Sequence, residues 1–229
     1  MTLTTKPITE NSKKKITTFW NYFKKNEQEI FNAFVLGINK QEVIFQTVKK
    51  MEIVSRRIDF IIEPPKTFDD KYKIVFTGYG YPKLFPKMIA LENQAPELKH
   101  YNAQAFIKPL EDATSYREGT DEPCICKNFE IKISELQLAL LDYDIATKKI
   151  KIDLYLPDYN ELQQFEDLEV NIDWIVMQVI GEIAFRKHIK EINLHQMPVE
   201  PVGLLPLVEL PEFIEYLYKI NSRRKTRKV

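Results

Sequence analysis

The stretch KISELQLALLDYDIATKKIKIDLYLPD, residues 132–158, decides the fold of this chain. In its second half, from Ile150 to Leu156, apolar residues alternate strictly with others, a period typical of a strand with one buried face. The first half is also rich in apolar residues, and a polar turn separates the two halves. The residues that carry the pattern are Ile133, Leu136, Leu138, Leu140, Ile150, Ile152, Leu154 and Leu156. The stretch therefore predicts a β-hairpin.

A helix and a third strand are predicted after this hairpin. Residues 160–183 place apolar side chains at helical spacing, and Gly181 interrupts the pattern near its end. The segment HIKEINLHQ, residues 188–196, then favours a strand. The resulting order is strand, strand, helix, strand.

The same order is predicted earlier in the chain. RIDFII at 57–62 and YKIVFTGYG at 72–80 are rich in β-branched and aromatic residues and flank a loop with two prolines, which favours a hairpin. A short helix at 85–94 and an alternating strand at 101–107 follow. The two copies share no residue-by-residue identity, so their likeness is one of topology.

Two amphipathic helices precede these strands. The first has apolar residues at helical spacing from Ile16 to Phe34 and ends at Gly37, and the second runs from Asn39 to Val54. Their short connection favours an antiparallel pair. The sequence thus predicts an α+β protein with an N-terminal helix pair. Its mainly antiparallel sheet contains two strand-strand-helix-strand units and carries helices on one face.

The expected domain organisation is a flexible arm at 1–12, a single α+β domain at 13–220, with sub-units at 13–110 and 128–220 as an alternative division, and a basic tail at 221–229. Four prolines between 197 and 211 disfavour regular structure and indicate an extended apolar segment. A last helix at 211–220 is predicted to precede the tail.

Charge is balanced over the whole chain but not along it. The 33 basic and 33 acidic residues produce no global field that would attract nucleic acid or an anionic membrane. The last seven residues hold the five basic side chains Arg223, Arg224, Lys225, Arg227 and Lys228, so the rest of the chain is mildly acidic. Such a tail suits phosphates or an acidic protein surface, and it equally suits a solubilising end without a specific partner.

The composition predicts a soluble cytoplasmic protein without a membrane partner. The two cysteines, Cys124 and Cys126, are too few for a disulfide scaffold and favour a reducing compartment. The first 20 residues lack the apolar core of a signal peptide. No later run approaches the roughly 20 apolar residues that a membrane-spanning helix needs.

Motifs for a cofactor, a metal or a nucleotide are not found, and no cofactor is expected. TGYGYP at 77–82 lacks the third glycine of a dinucleotide fingerprint and the Lys-Ser/Thr ending of a P-loop. Cys124 and Cys126 lack the two-residue gap of redox and zinc motifs. Asp142, Asp144 and Asp153 could supply oxygen ligands to a hard cation, but Asp142 and Asp144 flank a hairpin turn without the glycine of a calcium loop, which favours a solvated turn.

Polar residues at two places form a candidate site. Glu182 and His188 lie where the long helix gives way to a strand, and Asn93 and His100 flank the break at 95–96. Carboxylates and imidazoles can move protons near neutral pH, so these groups would support acid–base chemistry if folding brought them together. The spacing does not require that they meet, and the break at 95–96 is also explained as a helix end before a strand.

Three motifs occur at separate places in the chain: FWNYFKKNEQEIFNAF at 19–34, APELKHYNAQAFIKP at 95–109 and VIGE at 179–182. Together they resemble a set of uncharacterised bacterial cytosolic proteins of unknown function. The resemblance covers most of residues 18–196 and leaves out the proline-rich segment and the tail. It implies a bacterial origin and no catalytic assignment.

Three functions remain open on these observations. The first is a non-catalytic binding or protein-interaction module with an unknown protein partner, in which the sheet presents a face and the tail adds electrostatic contact. The alternative is an enzyme of unfamiliar type, such as a hydrolase, that uses Glu182 and His188 with Asn93 and His100. The third is weak nucleic-acid association through the basic tail. The oligomeric state is open as well.

Overall fold

The computed structural model of the chain describes residues 7–226, with the backbone alone for residues 221–226. The chain divides into two compact units, unit 1 (Met1–Ile107) and unit 2 (Lys108–Val229). Each unit holds its own hydrogen-bonded sheet. The predicted α+β class is confirmed, and so are the N-terminal helices and the two strand-strand-helix-strand units.

Unit 1 consists of an N-terminal helical layer and a three-stranded sheet. Its helices are α1 (Glu10–Lys25), α2 (Glu27–Leu36), α3 (Lys40–Val54) and α4 (Phe85–Asn93), and its strands are β1 (Asp59–Glu63), β2 (Tyr72–Thr77) and β3 (Tyr101–Ala105). α1 starts inside the segment expected to be an arm, and the first six residues of that segment lie outside the described part of the chain.

The first predicted helix is two helices, because the chain breaks at Asn26. The Asn26 side chain donates a 2.8 Å hydrogen bond to the carbonyl of Tyr22, and its backbone N–H donates to the same carbonyl. Asparagine side chains compete with the helix for backbone groups in this way, which makes them common at helix ends. Apolar periodicity is insensitive to such a break, because α2 continues the same apolar pattern.

The sheet of unit 1 confirms the predicted hairpin and adds a parallel strand. β1 and β2 pair antiparallel, with Asp59 opposite Thr77, and β3 pairs parallel to β2, with Tyr101 beside Tyr72. The crossover through α4 returns the chain to the same end of the sheet, which permits the parallel pairing. α1 packs on this sheet through Trp20, whose indole N–H donates a 2.9 Å hydrogen bond to a carbonyl of α4.

Unit 2 has the larger sheet, with strand order β8-β7-β6-β9. Its helices are α5 (Thr114–Glu118), α6 (Tyr159–Leu162), α7 (Leu168–Ile180), α8 (Glu182–His188) and α9 (Leu210–Thr226), and its strands are β4 (Cys124–Ile125), β5 (Glu130–Ile131), β6 (Gln137–Asp144), β7 (Lys149–Leu156), β8 (Ile189–Gln196) and β9 (Leu205–Pro206). The four alternating apolar residues of β7 are each at most 1% exposed and form one core with the apolar side of α7.

Three details of unit 2 differ from the sequence prediction. Gly181, at φ +82°, separates α7 from an extra short helix, α8, which was not predicted. Within the proline-rich segment, expected to lack regular structure, Leu205–Pro206 pairs with β6 as a short edge strand. α9 continues to Thr226, so the helical backbone includes the first residues of the predicted tail.

Candidate functional site

The contacts of Asn93 and His100, both in unit 1, are those of residues that hold the fold together. Asn93 is the last residue of α4. The backbone N–H of His100 donates a 2.6 Å hydrogen bond to the carboxylate of Glu27, and the His100 ring nitrogen Nε2 lies 3.0 Å from Gln28 Oε1. The same ring stacks on Phe31 at 4.3 Å between centroids. His100 therefore fastens the start of β3 to α2.

Glu182 and His188, the candidates in unit 2, lie at opposite ends of α8. Both side chains are buried, at 0% and 7% exposure. They are six positions apart in the helix, which separates them by roughly 9 Å along the axis and by about a third of a turn around it. They belong to the same short helix, but direct proton exchange between them is not available in this arrangement.

His188 has a defined partner in Tyr218 of α9. The Tyr218 hydroxyl lies 2.9 Å from His188 Nδ1, and the two rings meet edge to face at 5.1 Å between centroids. Burial lowers the pKa of His188, and the neighbouring positive charge of Lys187 lowers it further. Burial also raises the pKa of Tyr218. His188 Nδ1 also lies 3.4 Å from the carbonyl oxygen of Lys148. The pair is thus a buried imidazole and a protonated phenol in hydrogen-bond contact.

Two lysine ammonium groups lie close to the Tyr218 ring. Lys148 Nζ is 4.6 Å and Lys187 Nζ is 5.2 Å from its centroid. Lys148 occupies the turn between β6 and β7 in a left-handed conformation, φ +60°, and its N–H donates a 2.7 Å hydrogen bond to the carbonyl of Asp144. An aromatic face attracts cations through its quadrupole, so the ring holds both ammonium groups near one place.

Three further cations belong to the same surface. Burial lowers the pKa of Lys149, and the positive charges of Arg186 and Lys190 lower it further, which indicates that the three groups are neighbours. Lys149 Nζ donates a 3.4 Å hydrogen bond to the carbonyl of Ile189. We call the five side chains together the basic surface, and they are Lys148, Lys149, Arg186, Lys187 and Lys190.

None of the five cations of the basic surface forms an ion pair within the described part of unit 2, although Lys190 is close enough to Asp144 to help lower the pKa of that carboxyl. Glu191, the adjacent acid, is held by Lys151 at 2.5 Å. Glu169 and Asp173 line a small cleft of about 320 Å³ that Arg186 and Lys190 also line. Burial and the neighbouring Glu169 raise the pKa of Asp173.

α9 connects the basic surface with the predicted basic tail. The helix carries Tyr218 against the surface, and its backbone continues through Arg223, Arg224 and Lys225. Arg227 and Lys228 lie outside the described residues. The sequence analysis identified the tail and missed the basic surface, because its cations come from KK at 148–149 and from RKHIK at 186–190. Neither segment is unusual alone, and only folding places them together.

The remaining candidates show no metal or redox arrangement. Asp144 accepts hydrogen bonds from the Thr147 side chain and from the backbone N–H groups of Thr147 and Ala146, and these lower its pKa. Asp153 accepts a 2.9 Å hydrogen bond from Asn193. Cys124 and Cys126 are free thiols whose pKa values are raised by burial. Over residues 7–226, histidines, cysteines and acids do not form a group of three or more able to hold a metal.

Comparisons with family models, with curated proteins and with solved structures gave no match to this chain. Among the helices described here, none combines the length and the apolar character needed to cross a membrane. The assignment of function therefore depends on the side chains themselves.

Proposed function

We propose that unit 2 is a non-catalytic nucleic-acid-binding module that contacts the phosphate backbone through the basic surface. The observation that carries the proposal is the grouping of five cations, two of them against the Tyr218 ring, none of which forms an ion pair among the described residues. Assembling like charges raises their mutual repulsion, and an anionic ligand relieves it. The backbone of α9 continues from Tyr218 to Thr226, so Arg223, Arg224 and Lys225 follow the basic surface along the same helix.

A nucleic acid fits this surface better than a small anion does. The cations come from the β6–β7 turn, from α8 and from the first residues of β8, so they extend over more than one element. A polyanion with regularly spaced charges can contact several of them at once and release several counterions. Phosphate contacts of this kind position a protein without reading sequence, so binding should be independent of base sequence.

The test is the salt dependence of binding to fluorescently labelled RNA and DNA of about 20 nucleotides, followed by anisotropy. With roughly four or five phosphate contacts, the slope of log K against log salt should be about −3 to −4.5. The double variant Lys187→Gln/Lys190→Gln should reduce the magnitude of that slope by roughly two, because each phosphate contact contributes about one. Truncation after Asn221 should reduce it further.

The matched control is Lys219→Gln. Lys219 is an exposed lysine of α9 that pairs with Glu215 at 3.6 Å and is not part of the basic surface. This variant should keep the slope of the unmodified chain. Absence of binding at low salt, or a slope that the double variant leaves unchanged, would overturn the proposal. Binding to polyglutamate but not to nucleic acid would also overturn it, in favour of an acidic protein partner.

A further inference from the structure

Unit 1 contains a cavity of about 490 Å³ between the last turns of α3, the start of β1 and the turn that follows β2. This volume lies within the range of small-molecule sites, about 300 to 1,000 Å³. Its floor is apolar and consists of residues of the core: Met51, Ile58, Phe60 and Leu84 are each at most 9% exposed. The cavity therefore offers an apolar pocket of ligand size.

The turn Gly78–Tyr81 forms one wall of the cavity and has an unusual backbone. Tyr79 has φ +51° and Gly80 has φ +73°, and the N–H of Tyr81 donates a 3.0 Å hydrogen bond to the carbonyl of Gly78. Two successive left-handed residues define a type I′ turn, in which a tyrosine is rare. Such strain persists where surrounding contacts impose it, and it is frequent at ligand clamps.

The contacts that impose this backbone conformation also fix Tyr79 at the cavity. The Tyr79 hydroxyl donates a 3.1 Å hydrogen bond to Asp59 Oδ2, and its backbone N–H donates to Thr77 Oγ1. At Gly78, a Cβ atom would lie only 2.9 Å from Leu84 Cδ1, so glycine permits the close approach of the turn to the cavity floor. The wall is thus built from specific contacts and is not a loose loop.

The acidic and the basic side chains that line the cavity differ in whether they have partners of opposite charge or hydrogen-bond donors. Asp59 accepts hydrogen bonds on both oxygens, from the Tyr79 hydroxyl and from the N–H of Phe60, and Glu52 pairs with Lys49 at 3.7 Å. Arg56 and Arg57 are exposed, and neither forms an ion pair with a residue in the described part of the chain. The acids of the lining have partners, and the arginines lack an anionic one.

The second arginine is also oriented by an aromatic ring. The guanidinium carbon of Arg57 lies 5.6 Å from the centroid of Tyr81. Contact with a ring restrains the guanidinium and leaves N–H donors for a second group. Guanidinium groups match the geometry of a carboxylate, to which they can donate two parallel hydrogen bonds.

We propose that this cavity binds a small carboxylic acid with a planar apolar ring, the ring lying on the apolar floor and the carboxylate meeting Arg56 and Arg57. The proposal concerns unit 1 and is independent of nucleic-acid binding by unit 2. The two unpaired arginines beside a built apolar pocket carry it. The volume of the cavity limits the size of the ring, and the two arginines favour a negative charge on the ligand, since Asp59 and Glu52 already have other partners.

The test compares indole-3-acetate with its neutral amide, indole-3-acetamide, as probes of the full chain, by titration calorimetry and ligand-observed NMR. The acid should bind with a Kd below about 1 mM. The amide should bind about tenfold or more weakly, because it lacks the charge-assisted hydrogen bonds. The double variant Arg56→Gln/Arg57→Gln should lower the affinity for the acid by a similar factor.

Two further variants distinguish binding in the cavity from binding elsewhere on the surface of unit 1. Lys83→Gln removes an exposed cation of unit 1 that does not line the cavity, and it should leave the affinity unchanged. Val48→Trp, at a position 38% exposed on the cavity wall, should abolish binding by filling the pocket while the fold is kept, as unfolding curves would verify. Equal affinity for acid and amide, insensitivity to the arginine variant, or absence of binding by the acid would each overturn the proposal.

Discussion

At the scale of single residues, His188 combines burial, a hydrogen-bond partner and a positive surrounding. It is 7% exposed, it lies 2.9 Å from the Tyr218 hydroxyl, and Lys148 and Lys187 stand close to the Tyr218 ring. Protonating His188 would place another positive charge beside these cations in a buried position. The folded state therefore favours the neutral imidazole.

Stability should therefore fall in mild acid through His188. The pKa of His188 is lowered in the folded chain, first by burial and then by Lys187, while the unfolded chain has the ordinary value of about 6.5. Between these two pKa values the unfolded state binds more protons, so the free energy of unfolding decreases as the pH falls, and it recovers as the pH rises above about 6.5.

Urea unfolding between pH values of about 7.5 and 5 measures this effect. We expect the midpoint of the unmodified chain to fall more steeply with acid than that of His188→Asn, in which the amide group takes the position of Nδ1 and can still hydrogen-bond to Tyr218. Acidic residues contribute equally to both chains and cancel in the comparison. Identical pH dependence in the two chains would contradict a neutral, buried His188.

At the scale of secondary-structure elements, the sequence was sufficient for the strands of both hairpins and insufficient for the breaks between helices. A period of two identified β7, because a strand with one buried face has apolar residues at alternate positions, and β-branched and aromatic residues identified β1 and β2. Asn26 and Gly181 break helices through a side-chain hydrogen bond and a positive φ, which leave the apolar pattern intact. The short strand Leu205–Pro206 depends on pairing with β6, a tertiary contact that the local sequence does not encode.

The candidate site shows the same division at longer range. The basic tail could be identified because its charges are consecutive in the sequence. The basic surface could not, because the segments that form it are almost 40 residues apart and meet only when β8 lies parallel to β7. The acid–base candidates could be proposed from the sequence because the sequence does not give the distances between them. In the structure, His100 instead contacts Glu27 and Phe31.

Gly181 is the element-level position most sensitive to substitution in unit 2. It has φ +82° and ψ 148°, a combination that is essentially restricted to glycine. Gly181→Ala should lower the free energy of unfolding by about 1 to 3 kcal/mol and weaken nucleic-acid binding, because α8 carries Arg186 and Lys187. Urea unfolding and the anisotropy assay measure the two effects.

Gly119→Ala is the matched control for this substitution. Gly119 has φ +70° and ψ 19°, ordinary left-handed values, with open space around the position of a Cβ atom. An alanine there should cost only about 1 kcal/mol and should leave binding unchanged. A Gly181 variant no less stable than the Gly119 variant would show that the α7–α8 junction does not require glycine.

At the scale of the whole molecule, two similar topologies carry different surfaces. Each unit contains an antiparallel hairpin, a helical crossover and a strand parallel to the second strand of the hairpin. The described cations that form no ion pair are arranged differently in the two units. In unit 2 they group on an open surface suited to a polyanion, and in unit 1 two arginines line a pocket with an apolar floor. The overall balance of charge conceals both features.

Each unit should fold alone, because each has its own sheet and its own buried residues. Residues 1–107 and 108–229, expressed separately, should each show a cooperative urea transition and well-dispersed amide NMR signals. A shorter piece of unit 1, residues 1–93, is the control, since it lacks β3 and the side chain of Tyr101, which is 1% exposed. This piece should lose cooperative unfolding, because β2 would be left with an open edge and a cavity beside it. If residues 1–107 unfold without cooperativity while the full chain unfolds in one transition, the units depend on each other, and the two binding surfaces must then be studied only in the intact chain.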